Sequence, residues 1–522
     1  METGIAAGPP RPRPHRYRPA AALGVLAGLV VGTALLVRLP AGSPWSRGMQ
    51  GFALLAIMFV LYGCGAWLVG SLKRSWATAL TLGGAAALQV AALTAPARYS
   101  DDLYRYVWDG RVQAHGIDPY RYVPVASRLA GLRTPDLFPA TAGNGHCVTS
   151  GPDITAGCTL LNRPLVHTIY PPVAQAYFWA VHWSGTRGVQ VCAAVAAVLV
   201  TAVLIRGLPR LGADPRQAVL WAWCPLVAIE AGNNGHVDVV AMLLTAAALV
   251  VLGTGRSVTA SRAAAGGALL GLAIATKMTP ALLLPSAVRR RPLPLLASLS
   301  GVVLAVYVPH LVAVGGGASG FLSGYLNEEG YDSGRRFAVL DLVMPQAWAV
   351  PAALVVLVAT AVLLWWFADA ARPWRGAVVM TGVTLLVAAP AYEWYAELLV
   401  LLVAFSGRAA VPWLAVALAG YAGQLGVGPG GSYGVAALFV GGAWLVRRRM
   451  AAGAGRAPVM AGLADGSLPA RAEQAGTGPV SAGQANAELV STAPVSTAPV
   501  DVILPCLDEA QALPFVLGRM PA

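Results

Sequence analysis

Charge is scarce in this chain. Asp, Glu, Lys and Arg together make up 11% of its 522 residues, too little to solvate the surface of a water-soluble globule of that length. Hydrophobic residues reach 57% and the mean hydropathy is +0.63, which describes a chain dominated by membrane spans. Acidic groups are the scarcest, 23 against 36 Lys and Arg, for a net charge of +13. That excess does not indicate a nucleic-acid partner, because the arginines are scattered singly between apolar runs, as membrane topology requires. Cysteine is sparse as well. Cys64, Cys192 and Cys224 lie in apolar runs and Cys506 in the tail, whereas Cys147 and Cys158 share a polar loop and can form a disulfide if that loop faces an oxidising compartment. No group of His, Cys, Asp and Glu has metal-ligand spacing, so no cofactor is expected, although an acidic pair leaves a divalent ion open. The first apolar run lacks a convincing small-residue cleavage site and reads as a retained span.

The apolar runs and arginines together define an all-α polytopic membrane protein. An arm of residues 1–19 carries Arg11, Arg13, Arg16 and Arg18 just ahead of the first run, which places the N-terminus in the cytoplasm. Alternation of Arg-rich and Arg-poor connections then gives about 13 transmembrane helices over residues 20–449. It also gives a large first external loop, 96–187, bearing short interfacial helices, and a second external loop, 315–345. Residues 450–500 are rich in Ala, Gly, Ser, Thr and Pro and read as a disordered cytoplasmic linker. The chain is thus expected in the cell membrane, with N-terminus and tail on the cytoplasmic side.

The acidic residues concentrate where the third apolar run ends, in Tyr99-Ser-Asp-Asp-Leu-Tyr-Arg-Tyr-Val-Trp-Asp-Gly-Arg111. Carboxylates at a membrane boundary are expensive and signal function. Ser100 followed by Asp101 and Asp102 reads as a helix start, with Ser100 as N-cap and the acids in the positively polarised first turn. Asp101 and Arg105, and likewise Tyr104 and Trp108, would then stand one turn apart. Gly116 and Asp118-Pro119 end the helix.

This pattern, followed by Gly116-Ile-Asp-Pro-Tyr-Arg-Tyr122, resembles the first external loop of polytopic glycosyltransferases of the C superfamily, and most of all bacterial mannosyltransferases that use polyprenyl-phosphate-mannose. His167-Thr-Ile-Tyr-Pro-Pro172 also resembles the family's pattern. The resemblance implies an enzyme moving a hexose, mannose by analogy, from a polyprenyl-phosphate donor to an extracytoplasmic glycan or glycolipid acceptor. Its catalytic base would be Asp101 or Asp102. One departure stands out: the acidic loop usually follows the first span, and here it follows the third.

Such chemistry needs cations for the charge growing on the departing phosphate. Arg105, Arg111, His236, Lys277, Arg335 and Arg336 are the candidates on or near the external side, and Tyr104, Trp108, Tyr120 and Tyr122 are candidates to stack on the sugar. Each has a plainer reading. The acids can cap a helix, the aromatics can form an interfacial belt, Lys277 can snorkel, and His236 can pair with Asp238. Glu393 is a weaker external candidate; Glu328, Glu329 and Asp332 are the fallback bases. The rival function is a transporter or flippase of a polyprenyl-linked sugar. Against it, the large polar loop has no evident counterpart in the other half of the chain.

Residues 501–522 open with Asp501-Val-Ile-Leu-Pro-Cys-Leu-Asp-Glu509. This fragment resembles the first strand and turn of family 2 nucleotide-sugar glycosyltransferases of the A fold, with Asp508 and Glu509 in the acidic places. It lacks an Asp-x-Asp motif and the rest of the sheet. A truncated fusion is therefore expected, with a separate cytoplasmic sugar-phosphate synthase as the implied partner.

Overall fold

The computed structural model describes residues 17–39, 44–139, 148–149, 158–253, 258–422 and 428–454. The arm before residue 17, Cys147, and everything after residue 454 lie outside the described residues, and with them the linker and the 501–522 fragment. The expected Cys147–Cys158 bond therefore rests on a residue not described. Cys158 itself opens a short strand, Cys158–Thr159, which pairs antiparallel with Val148–Thr149. Contacts divide the chain into residues 1–441, which hold the site, and 442–522. In the second unit, residues 442–454 are helical.

The architecture is all-α and multi-pass. Among the described residues, seven helical segments are long and apolar enough to cross a membrane: Arg18–Leu36, Gln50–Gly70, Pro172–Arg210, Pro292–Glu328, Gln346–Phe367, Glu393–Ala422 and Pro429–Met450. Shorter apolar helices, Asp238–Gly253, Ala260–Ile274 and Pro373–Ala388, accompany them. The sequence-based count of about 13 treats every apolar run as a straight span, and some runs are broken. Residues 219–233 form Val219–Ala222, Pro225–Val227 and the π-turn Ala228–Asn233. Pro225 has no N–H to continue the preceding helix. Residues 279–287 likewise split into Thr279–Leu283 and Leu284–Ala287, each with a proline near its start.

Apolar surface turned outward marks the lipid boundary. The Pro292–Val314 helix buries only Leu295 and Leu299 and leaves Leu304, Val308, Leu311 and Val312 exposed. The Ala349–Phe367 helix exposes Leu354, Val355, Val358 and Trp366. Helices satisfy their own backbone groups, so such surfaces are stable in hydrocarbon. Close approach between helices then depends on small residues. Gly267 and Gly271 share one face of the Ala260–Ile274 helix. A Cβ at Gly267 would lie 2.3 Å from the carbonyl oxygen of Leu295, and one at Gly271 would lie 2.9 Å from that of Leu299.

A second, smaller core is built by the segment that carries the acidic turn. The helix Asp102–Ala114 packs on the helix Pro172–Val181. Between them Tyr106 stacks on Phe178 with ring centroids 4.3 Å apart, and Trp108 meets Phe138 edge-on at 5.0 Å. Gly110 permits this packing, since a Cβ there would fall 2.3 Å from the carbonyl oxygen of Phe178. Gly110→Ala is therefore expected to destabilise the loop by about 1–3 kcal/mol. The measurement is a lowered melting temperature, and an unchanged one would contradict the packing described.

Candidate active site

The acidic turn is positioned by a segment far away in sequence. The π-turn Ala228–Asn233 and the residues after it form a buried plate beneath it. Asn233 donates from Nδ2 to the carbonyls of Ala92 (3.1 Å) and Pro96 (3.0 Å), and its Oδ1 accepts the Arg98 amide at 3.0 Å. Asn234 Oδ1 accepts the Tyr99 amide at 3.1 Å. The backbone leading into Ser100 is thereby fixed before the helix begins. The N-cap is Asp101, one residue later than expected, and it makes no capping hydrogen bond of its own. Ser100 still contributes, because its Oγ accepts the Asp102 amide at 3.2 Å. The same hydroxyl lies 2.9 Å from His236 Nε2.

Both carboxylates face one cavity of about 420 Å³, within the size range of small-ligand sites. Asn162 ties them together by donating from Nδ2 to Asp101 Oδ1 at 3.1 Å and also to Asp102 Oδ1. Asp102 is nearly buried, whereas Asp101 is half-buried. Opposite them stands Lys277, whose Nζ is 3.0 Å from Asp238 Oδ2 and 5.9 Å and 5.4 Å from the ring centroids of Tyr170 and Tyr395. Burial by itself would discharge this ammonium, but the Asp238 carboxylate holds its pKa above the ordinary lysine value. An ammonium carries more donors than Asp238 takes, so Lys277 can also serve a ligand.

Arg163 is a further cation on the wall. Its Nε is 3.0 Å from Glu328 Oε2, and its guanidinium lies over the Tyr325 ring at 5.4 Å. Burial opposes its charge, yet Glu328 and Tyr392 keep its pKa raised. This contact joins the segment after the acidic helix to the helix Leu322–Glu328. Tyr392 and Trp394, stacked with centroids 4.4 Å apart, supply an aromatic wall, and Met278, Phe321, Leu322 and Leu326 an apolar one.

Of the residues singled out from sequence, Asp101, Asp102, Arg105 and Lys277 line this cavity. Arg105 is almost spent on structure: it pairs with Asp109 at 2.9 Å and donates to the carbonyls of Arg163 and Val166. Sequence spacing sets Asp101 and Arg105 one turn apart; the ion pair of Arg105 runs one turn the other way, to Asp109. His236 is fully buried behind Asp102, and instead of pairing with Asp238 it sits between Ser100 and Glu230. Trp108 is a core residue. Arg111 holds its own loop through Thr134 and Asp136. Tyr104, Tyr120 and Tyr122 lie off the cavity wall; Tyr120 is buried and donates to the Tyr170 carbonyl at 2.6 Å. Arg335 donates to Ser333 and Arg336 pairs with Glu329, both away from the wall. Among the fallback acids only Glu328 reaches it, and His167 lines it too. Glu393 is buried and also lies off the wall.

Sequence reasoning missed Asn162, Arg163, Tyr392, Trp394 and Tyr395. The signal was present in Tyr392-Glu-Trp-Tyr395, where three aromatics surround the one residue that drew notice.

The site is thus a cavity in a multi-pass helical protein, with carboxylates and cations beside apolar walls. The sequence model of glycosyltransferase family 87 matches residues 168–390, which bears out the resemblance to polytopic glycosyltransferases of the C superfamily. The matched segment holds Glu230, His236, Lys277 and Tyr325, and the acidic turn precedes it. No curated protein and no solved structure matches the chain.

Proposed function

We propose that the protein transfers a hexose, mannose by the family analogy, from a polyprenyl-phosphate donor to a glycan or glycolipid acceptor on the outer face of the membrane. The observation that carries this reading is the meeting of Asp101 and Asp102 with Lys277 and Arg163 across one cavity. Asp102 takes the proton from the acceptor hydroxyl as that oxygen bonds to the anomeric carbon. The bond from that carbon to the phosphate oxygen breaks, and Lys277 and Arg163 receive the negative charge left on the polyprenyl phosphate. Tyr392 and Trp394 offer the sugar a stacking face, while Met278, Phe321, Leu322 and Leu326 accept the start of the lipid tail. Outside the cytoplasm nucleotide sugars are not at hand, and a donor anchored in the bilayer reaches a cavity between spans without leaving it.

The test is incubation of membranes from expressing cells, which carry native acceptors, with radiolabelled polyprenyl-phosphate mannose. Label is expected to pass to an acceptor with release of polyprenyl phosphate, and an impermeant thiol reagent is expected to reach a cysteine placed at position 121 from outside. Movement of intact donor across the bilayer with no bond broken would instead establish the flippase.

A further inference from the structure

His236 is 0% exposed and absent from the cavity wall, so it cannot touch donor or acceptor. A histidine sealed in a membrane protein, with polar partners on both ring nitrogens, still requires an account. On one side Nε2 is 2.9 Å from Ser100 Oγ and 3.8 Å from Asp102 Oδ2. On the other, Nδ1 is 3.1 Å from Glu230 Oε2, close enough for an ion pair although not aligned as a hydrogen bond. Glu230 also accepts from Asn234 Nδ2 at 2.8 Å and from the Tyr421 hydroxyl at 2.6 Å.

Resting on the reading of Asp102 as base, we infer that His236 is a positioning residue that works as an imidazolium, paired with Glu230 from behind, facing the Asp102 carboxylate in front, and joined through the Ser100 hydroxyl to the Asp102 backbone amide. The ring lies between two carboxylates, 3.1 Å from Glu230 Oε2 and 3.8 Å from Asp102 Oδ2, and only the imidazolium sets a positive charge between them. The groups facing the ring agree in sign. Glu230 faces it from the π-turn, Asp102 from the loop helix, and Asp238 from the start of the Asp238–Gly253 helix, the last already countered by Lys277. The Trp394 ring covers the remaining side, with centroids 4.3 Å apart. Burial pushes the imidazolium toward neutrality, but these carboxylates outweigh it and hold the His236 pKa above its ordinary value.

The sign of the pH effect follows. His236 is charged below its raised pKa, so turnover is lost as pH rises through that value. Glu230→Gln removes the first source of the raise and is expected to move the alkaline limb of kcat down by about 1 pH unit or more, with the KM for polyprenyl-phosphate mannose unchanged. In His236→Gln that limb disappears and kcat falls at every pH. Ser100→Ala, at the cavity edge, lowers kcat several-fold and leaves KM alone. If Glu230→Gln does not accumulate in the membrane, Glu230→Asp, which withdraws the carboxylate by one methylene, gives the same reading. A merely structural role for His236 predicts lower melting temperatures with an unmoved limb. Coincident alkaline limbs in the parent and the Glu230 variant would overturn the inference while leaving the base in place, provided Asp102→Asn is inactive. Full turnover by Asp102→Asn would instead remove the base and the inference together.

Discussion

Asp102→Asn is expected to lower sugar transfer about 100-fold to 10,000-fold, the usual range for loss of a general base, while the protein stays folded. Asn fills nearly the same volume and serves a helix start almost as well, so the lost first-turn charge should cost about 0.3–1 kcal/mol of stability. Asp101→Asn should keep the larger part of the rate, since Ser100 and the buried His236 stand behind Asp102. Donor turnover measured beside melting temperature for both variants decides the matter. If Asp101→Asn alone is dead, the two acids exchange roles. If both variants turn over normally, the base lies elsewhere, and Glu328 is the remaining acid on the cavity wall.

Lys277 gives the second large effect. Removing a donor that faces developing charge typically costs about 100-fold to 1,000-fold in rate, and Lys277→Met should reach that range in kcat/KM. The single variant is ambiguous, because it strands the nearly buried Asp238 carboxylate without its partner at 3.0 Å, which by itself costs about 3–5 kcal/mol. Adding Asp238→Asn separates the two. The double variant is expected to recover its melting temperature while transfer stays low. Recovery of transfer as well would reduce Lys277 to the counterion of Asp238.

What could be read from the sequence follows from how costly charge is in so apolar a chain. Asp101, Asp102 and Lys277 stand out because each carries a charge at a membrane edge, and all three line the cavity. The same logic misplaced His236. Asn233-Asn-Gly-His236 looks like an exposed polar loop, but it is buried where it leaves the π-turn, with the side chains of Asn233, Asn234 and His236 turned to backbone groups, Ser100 and Glu230. Helical spacing set Arg105 one turn from Asp101, and it stands equally one turn from Asp109, with which it pairs. Arg163 and the Tyr392-to-Tyr395 wall share no local pattern with the acidic turn and join it only through tertiary packing. Multi-pass architecture was legible from hydropathy. The number of spans was not, because prolines at 225, 280 and 285 break runs that composition presents as continuous.

The contact between Arg163 and Glu328, and the wall at Tyr392 and Trp394, also bear on synthesis. Translation delivers the carboxylates early and the surfaces that enclose them late. While the ribosome is still working toward the last third of the chain, Asp101 and Asp102 are without the aromatic wall of Tyr392 and Trp394. Donor that reaches the nascent protein therefore meets an open acidic turn rather than a site. For the proposed transfer the site is complete only once residues 392–395 have docked, and a chain stopped before them is expected to be inserted but inert.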